Sequence, residues 1–181
     1  MNKKLLLITS LVAGIFFSPS LKAQSSDDMV AVYRWYSQVD REYATFAENE
    51  YQEGQLLHWK YNDKTLLFYA YKNPGPDRVA VYRWVNPVTK DIVSIAEDEF
   101  KDDDMIKMGY REKTLQFYAP IRRADNRVPV YRWYIKKRED WVTIPEEGNT
   151  DLYFKKGYSK KTFQYYGIKR SVDESLYHSP L

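Results

Sequence analysis

The sequence predicts a mainly β domain in which three copies of one unit of about 49 residues, the third lacking one residue, close with pseudo-threefold symmetry, β-trefoil-like, with short helices inside the copies. Three observations predict it. The segment Val30-Ala-Val-Tyr-Arg-Trp-Tyr36 recurs as Val79-Ala-Val-Tyr-Arg-Trp-Val85 and as Val128-Pro-Val-Tyr-Arg-Trp-Tyr134, each time 49 residues on. Self-similarity at a fixed period outranks other clues to architecture. The repeated segment is rich in β-branched and aromatic residues, the composition of a half-buried strand. Three copies of about four strands must also hide their edges, because an open edge recruits other chains. Closure of the three copies on one another does so. A three-sheet prism is the alternative, and a propeller-like ring fits poorly because propellers usually need about four or more blades.

The chain opens on Lys3 and Lys4, an apolar run from Leu5 to Phe17, and Leu21-Lys22-Ala23. This is the pattern of a secretory signal peptide over residues 1–23, and the apolar run is short for a transmembrane span. An exported chain, periplasmic or secreted and free of the membrane after cleavage, is expected. Lys3, Lys4 and Lys22 account for the whole formal charge of +3, since without them the 28 Lys and Arg only match the 25 Asp and Glu. A neutral mature chain has no global basic excess to displace phosphate counterions, so nucleic acid is not an expected partner. With no cysteine in the chain, neither disulfides nor thiolate chemistry can contribute.

Residues 24–29 read as a linker, 30–78, 79–127 and 128–170 as the three copies of a single domain, and 171–181 as a polar tail. Within the second copy the opening strand is followed by a turn at Asn86-Pro87-Val88-Thr89-Lys90 and a short strand over Ile92–Ile95. From Glu97 to Met108 acids come early and apolar residues late, which suits a short helix. Gly109-Tyr110 and Thr114–Tyr118 read as a hairpin closed at Arg111-Glu-Lys113, and Lys72–Arg78 as a connector between copies. Lys136-Lys-Arg138 marks a solvated turn.

Aromatic residues make up 17% of the chain, enough to build its interior. Tyr33, Trp35, Tyr61, Phe68 and Tyr69 have counterparts in both later copies, and positions filled alike in every copy read as core. Strand alternation puts Tyr33 and Trp35 on one face, Val32 and Arg34 on the other. Unrepeated aromatics are better ligand candidates. Trp59 aligns with Met108 and Lys156, and Tyr43 and Trp141 align with Ile92. An exposed flat ring can stack on a pyranose while neighbouring polar groups bond its hydroxyls. Arg34, Arg83 and Arg132 stand mid-strand beside valines, where a guanidinium needs a carboxylate for its planar fork. Glu48, Glu97 and Glu146 recur at a constant offset, so one structural ion pair per repeat is expected between these arginines and glutamates.

Catalytic constellations are thin. His58 and His178 are the two histidines, and neither stands in a metal-binding or nucleophile motif. The acidic run from Glu97 to Asp104 lacks the alternation and glycine of a calcium loop. No catalytic residue, metal or cofactor is expected.

The second copy, with Val81-Tyr-Arg-Trp84, Asn86-Pro87-Val88-Thr89-Lys90-Asp91, Gly109-Tyr110 and Phe117-Tyr118, resembles the repeat of a family of unknown function found in secreted bacterial and fungal proteins. The other two copies align with it, so the resemblance covers Val30 to about Ile168. It implies a compact repeat domain, lectin-like and often an accessory to secreted enzymes. The family's histidine position holds Tyr43, Ile92 and Trp141 here, so no metal or proton-transfer role carries over. The expected function is a non-catalytic exported binding module for carbohydrate. A periplasmic or secreted protein-interaction or inhibitor domain is the alternative, which makes the expected partner a glycan or an extracytoplasmic protein. A carboxylate-dependent hydrolase ranks last.

Overall fold

The Val-x-Val-Tyr-Arg-Trp segments form strands, and the protein is mainly β. Its computed structural model describes residues 26–48, 50–135, 140–146, 154–155 and 157–169. The signal segment 1–23, the turn at Lys136-Lys-Arg138 and the tail 171–181 lie outside the described residues. The first sequence copy supplies β1 (Met29–Ser37), β2 (Glu42–Ala47), a short helix α1 (Glu53–His58) and β3 (Tyr61–Tyr71). The second supplies β4 (Arg78–Val85), β5 (Ile92–Ala96), α2 (Asp102–Lys107) and β6 (Arg111–Pro120). The third supplies β7 (Arg127–Ile135), β8 (Asp140–Pro145) and β9 (Ser159–Ile168).

Pairing is antiparallel throughout. β1 pairs with β2 and β3, β4 with β5 and β6, and β7 with β8 and β9. The copies are joined into one nine-stranded sheet where Tyr71 of β3 meets Tyr118 of β6 and Tyr69 of β3 meets Ile168 of β9. Each copy thus has three described strands where about four were expected. The hairpin expected at Arg111-Glu-Lys113 is instead the start of the continuous strand β6. Glu112 takes a left-handed conformation (φ 52) and is absorbed as an irregularity in the β4–β6 register. Such an extra residue kinks a strand without reversing it.

A second register shift recurs at one place in all three copies, between Val32 and Tyr33, Val81 and Tyr82, and Val130 and Tyr131. It leaves Leu67, Gln116 and Gln164 as the unpaired extra residues on the partner strands. The strand pairs on either side of this bulge feed different cores. On one side Val32, Val81 and Val130, all wholly buried, share a central cluster with Phe68, Phe117 and Tyr165. Those three rings meet edge to face, with centroids 5.8 to 6.0 Å apart for every pair. On the other side lie three separate clusters. They centre on Trp35 with Phe46 and Leu56, on Trp84 with Ile95 and Met105, and on Trp133 with Ile144 and Tyr158. Tyr33 and Trp35 serve the same cluster, as strand alternation requires.

The strands β2, β5 and β8 are tied together by a closed ring of hydrogen bonds. Thr45 donates through its hydroxyl to the Thr143 carbonyl (3.4 Å), Thr143 to that of Ser94 (2.9 Å), and Ser94 to that of Thr45 (3.4 Å). Local turns follow the sequence signals. The Asn86 side chain accepts from the amides of Val88 and Thr89, and Gly109 (φ +92) follows the C-cap of α2. Asp28 accepts from Asn73 (2.8 Å) and Arg78 (3.1 Å), so the end of the expected linker 24–29 is already tied to the fold.

Candidate functional site

Two of the expected ligand aromatics are seams between copies. Tyr43 packs against the Trp133 cluster of the third copy, and Trp141 against the Trp84 cluster of the second. Ile92, at the aligned position, packs against the Trp35 cluster of the first. One position on β2, β5 and β8 therefore plugs the apolar cluster of a different copy each time. Trp59 behaves otherwise. It caps the C-terminus of α1, remains 43% exposed, and lies edge to face with Tyr51, ring centroids 5.0 Å apart. The structure brings none of the three candidates together.

Arg83 and Arg132 form ion pairs, but not with the expected glutamates, and Arg34 pairs with no carboxylate among the described residues. Arg83 reaches Glu50 of the first copy at 2.6 Å, and Arg132 grips both oxygens of Glu99 of the second. These acids stand two residues beyond Glu48 and Glu97. The reason is directional: Arg34, Arg83 and Arg132 share a strand face with the central valines, which points them across the boundary between copies. Glu48, Glu97 and Glu146 instead close their own strands, through amides bonded to Ala31, Ala80 and Pro129. The Glu97 carboxylate accepts a long bond from Tyr82 (3.5 Å), and that of Glu146 pairs with Lys161. Both seam arginines lie within stacking distance of rings. Arg83 sits 4.7 Å from the Tyr51 ring, and Arg132 lies between Trp141 (3.8 Å) and Phe100 (5.0 Å). Burial pushes the Glu50 carboxyl up, against the opposing pull of Gln116, Arg83 and the Ala47 amide. Burial likewise lowers the Arg132 guanidinium, against Glu99.

A different surface has the make-up of a ligand site. Tyr131 of β7 and Phe163 and Tyr166 of β9 form an aromatic group on the third copy. Centroid distances are 5.8 Å from Tyr131 to Phe163 and 5.1 Å from Phe163 to Tyr166. Phe163 is 43% exposed and the two tyrosines are half-buried. Lys161 lies 3.9 Å over the Tyr131 ring and bonds Glu146, fixing both at the rim. Tyr131 and Tyr166 line a cleft of about 510 Å³, within the ~300–1,000 Å³ of small-molecule sites. Its walls also carry Arg123, Asp125, Arg127, Glu146 and Lys169, charges of both signs. Arg127 is steadied by its bond to the Arg122 carbonyl (2.5 Å) and Lys169 by its bond to that of Asp125 (3.0 Å).

The sequence contained a signal for this surface. Phe163 aligns with Leu66 and Leu115, so it too is an aromatic that the other copies lack. Tyr131 and Tyr166 recur in every copy and read as core, yet both are only half-buried.

Residues 15–100 and 96–168 each match the model of a family described as a domain of unknown function, DUF5648. No curated protein and no solved structure matches the chain.

Proposed function

The chain belongs to the DUF5648 family, and we propose that it is a non-catalytic, exported carbohydrate-binding module whose sugar site is the aromatic cleft of the third copy. The observation that carries this reading is a cleft lined by Tyr131 and Tyr166 and rimmed by both acids and bases, with the exposed Phe163 ring packed against both tyrosines beside it. Flat rings offer a pyranose an apolar face, and carboxylates and guanidinium groups supply acceptors and donors for its hydroxyls. Arg127, Glu146 and Lys169 are already engaged with neighbouring groups, which holds that part of the rim in place before a ligand arrives.

The architecture that supports this site is, in our reading, three similar units closed β-trefoil-like around one axis. The Thr45–Thr143–Ser94 ring and the Phe68–Phe117–Tyr165 triangle both favour it, since each draws one residue from every copy. Three copies then need not mean three sites, because the aromatic triplet is complete in the third copy alone.

Retention on a panel of immobilised polysaccharides tests the function. Phe163→Leu, which installs the residue of the other two copies, is expected to reduce retention without lowering the melting temperature. Equal retention of wild type and variant removes the cleft from the proposal. Capture of a specific protein, with no polysaccharide retained, favours the interaction-domain alternative.

A further inference from the structure

We propose that the cleft of the third copy takes an acidic saccharide, whose carboxylate or sulfate group is received by Arg127. The inference rests on the reading of this cleft as the sugar site and names the class of sugar. Its basis is a comparison of two aligned arginines, Arg78 at the start of β4 and Arg127 at the start of β7. Each donates to a carbonyl five residues earlier, Arg78 to that of Asn73 (2.8 Å) and Arg127 to that of Arg122 (2.5 Å). There the likeness ends. Arg78 also bonds the Asp28 carboxylate at 3.1 Å and lies 3.4 Å over the Tyr71 ring. The residues aligned with Asp28 and Tyr71 for Arg127 are Asp77 and Pro120. Proline supplies no aromatic ring, and the Asp77 carboxylate is held by Nε of Arg122 at 2.9 Å.

Arg122 is the residue that makes the difference. Asn73 takes its place beside Asp28 and bonds that carboxylate through a neutral amide (2.8 Å), so the negative charge serves Arg78. A guanidinium at the same position is a competing cation, and it takes the carboxylate for itself. Among the described residues Arg127 therefore has no carboxylate partner. The cleft around it has a positive balance. Arg123, Arg127 and Lys169 line it against Asp125 and Glu146, and Lys161 at the rim already neutralises Glu146. Lys169, like Arg127, donates to a carbonyl, that of Asp125 at 3.0 Å, which positions the ammonium without cancelling its charge. The Arg122 carbonyl occupies Nη1 of the half-buried Arg127 and leaves the edge formed by Nε and Nη2 for a ligand. Such a planar edge matches two oxygens of one anionic group. Tyr131 and Tyr166 line the same cleft and offer the apolar face for the sugar ring that carries the anion.

Calorimetric titration of the purified protein with glucuronate, a glucose sulfate and glucose tests the inference. Wild type is expected to bind at least one of the two anions more tightly than glucose, and the tighter of them identifies the anionic group. Arg127→Gln should cut that preference about tenfold, the worth of a charge-assisted bond. Arg122→Asn restores the residue of the first copy, lies outside the cleft lining, and should release Asp77 to Arg127. Anion affinity should then fall while glucose binding holds, and adding Asp77→Asn should bring the affinity back. Equal binding of all three sugars overturns the inference and leaves the sugar site standing. So does binding of neither anion while a neutral polysaccharide is retained. An anion preference that survives Arg127→Gln at an unchanged melting temperature overturns the role of that arginine. Should Arg127→Gln fail to fold, the Arg122→Asn comparison decides, and unchanged anion affinity there is the contradicting result. Retention of no saccharide at all defeats both proposals together.

Discussion

Arg83 bonds Glu50, 33 residues earlier in the chain, at 2.6 Å, and both side chains are nearly sealed from solvent. The pair crosses a boundary between sequence copies, so it welds one copy to the next.

Breaking this pair from either side strands a charge in a low-dielectric seam. Arg83→Ala is expected to cost ~3–5 kcal/mol of stability. Glu97→Ala, although it removes the glutamate repeated in every copy, deletes an exposed side chain and should change stability by no more than about 0.5 kcal/mol. Denaturant melts of the two variants check the contrast, and similar losses would contradict the assignment of Glu50 as the partner.

The same pair gives a pH dependence with a definite sign. Burial raises the Glu50 carboxyl above its ordinary value even with Arg83 and Gln116 bonded to it. A folded-state pKa above the unfolded one, about 4.3 for glutamate, means that the folded protein holds the proton longer. Stability from this group is complete below the unfolded pKa and is lost as pH rises through the folded one. The stability of wild type minus that of Glu50→Gln should therefore fall as pH rises from about 4. An increase over that range, measured by urea melts at constant ionic strength, would contradict the dominance of burial.

Gly167 shows a copy departing from its siblings under packing pressure. Ala70 and Ala119 fill the aligned positions, yet a Cβ on Gly167 would lie 2.4 Å from Cγ of Phe68. Phe68 is held by Phe117 and Tyr165 and has little room to yield. Gly167→Ala restores the repeat in sequence and should nevertheless destabilise by ~1–3 kcal/mol, the range for overpacked cores. Thermal melting with an unchanged midpoint would contradict the close approach.

Tyr165 is the opposite case. Its ring completes the triangle with Phe68 and Phe117, but its hydroxyl is wholly buried without a hydrogen-bond partner among the described residues. Burial pushes that phenol far up. Tyr165→Phe, the residue of the other two copies, should stabilise by ~1–3 kcal/mol by removing an unsatisfied polar group. A loss of stability would show that the hydroxyl is bonded after all.

The opening strand of each copy, the turn at Asn86 and the shared face of Tyr33 and Trp35 were legible in the sequence, because each depends on residues a few positions apart. What crosses between copies was not. A repeat keeps every offset constant, so Glu48 and Glu50 were equally consistent with a partner for Arg34 by spacing. Tyr43 and Trp141 stood out as unrepeated aromatics and proved to be plugs, since each fits a neighbouring cluster of different shape. The recurrent bulge at Leu67, Gln116 and Gln164 left no local mark, because no glycine or proline punctuates it. Phe163 obeyed the same rule that singled out Trp59. It was hidden by its place in a strand whose neighbours Tyr165 and Tyr166 read as core.

Chemical-shift mapping on the isotope-labelled protein, titrated with a saccharide it retains, tests the sugar site most directly. Perturbations concentrated at Tyr131, Phe163, Tyr166 and Arg127, and removed by Phe163→Leu, are the expected result. Perturbations confined to other surfaces, such as Trp59 and α1, with the third-copy cleft unchanged, would contradict it.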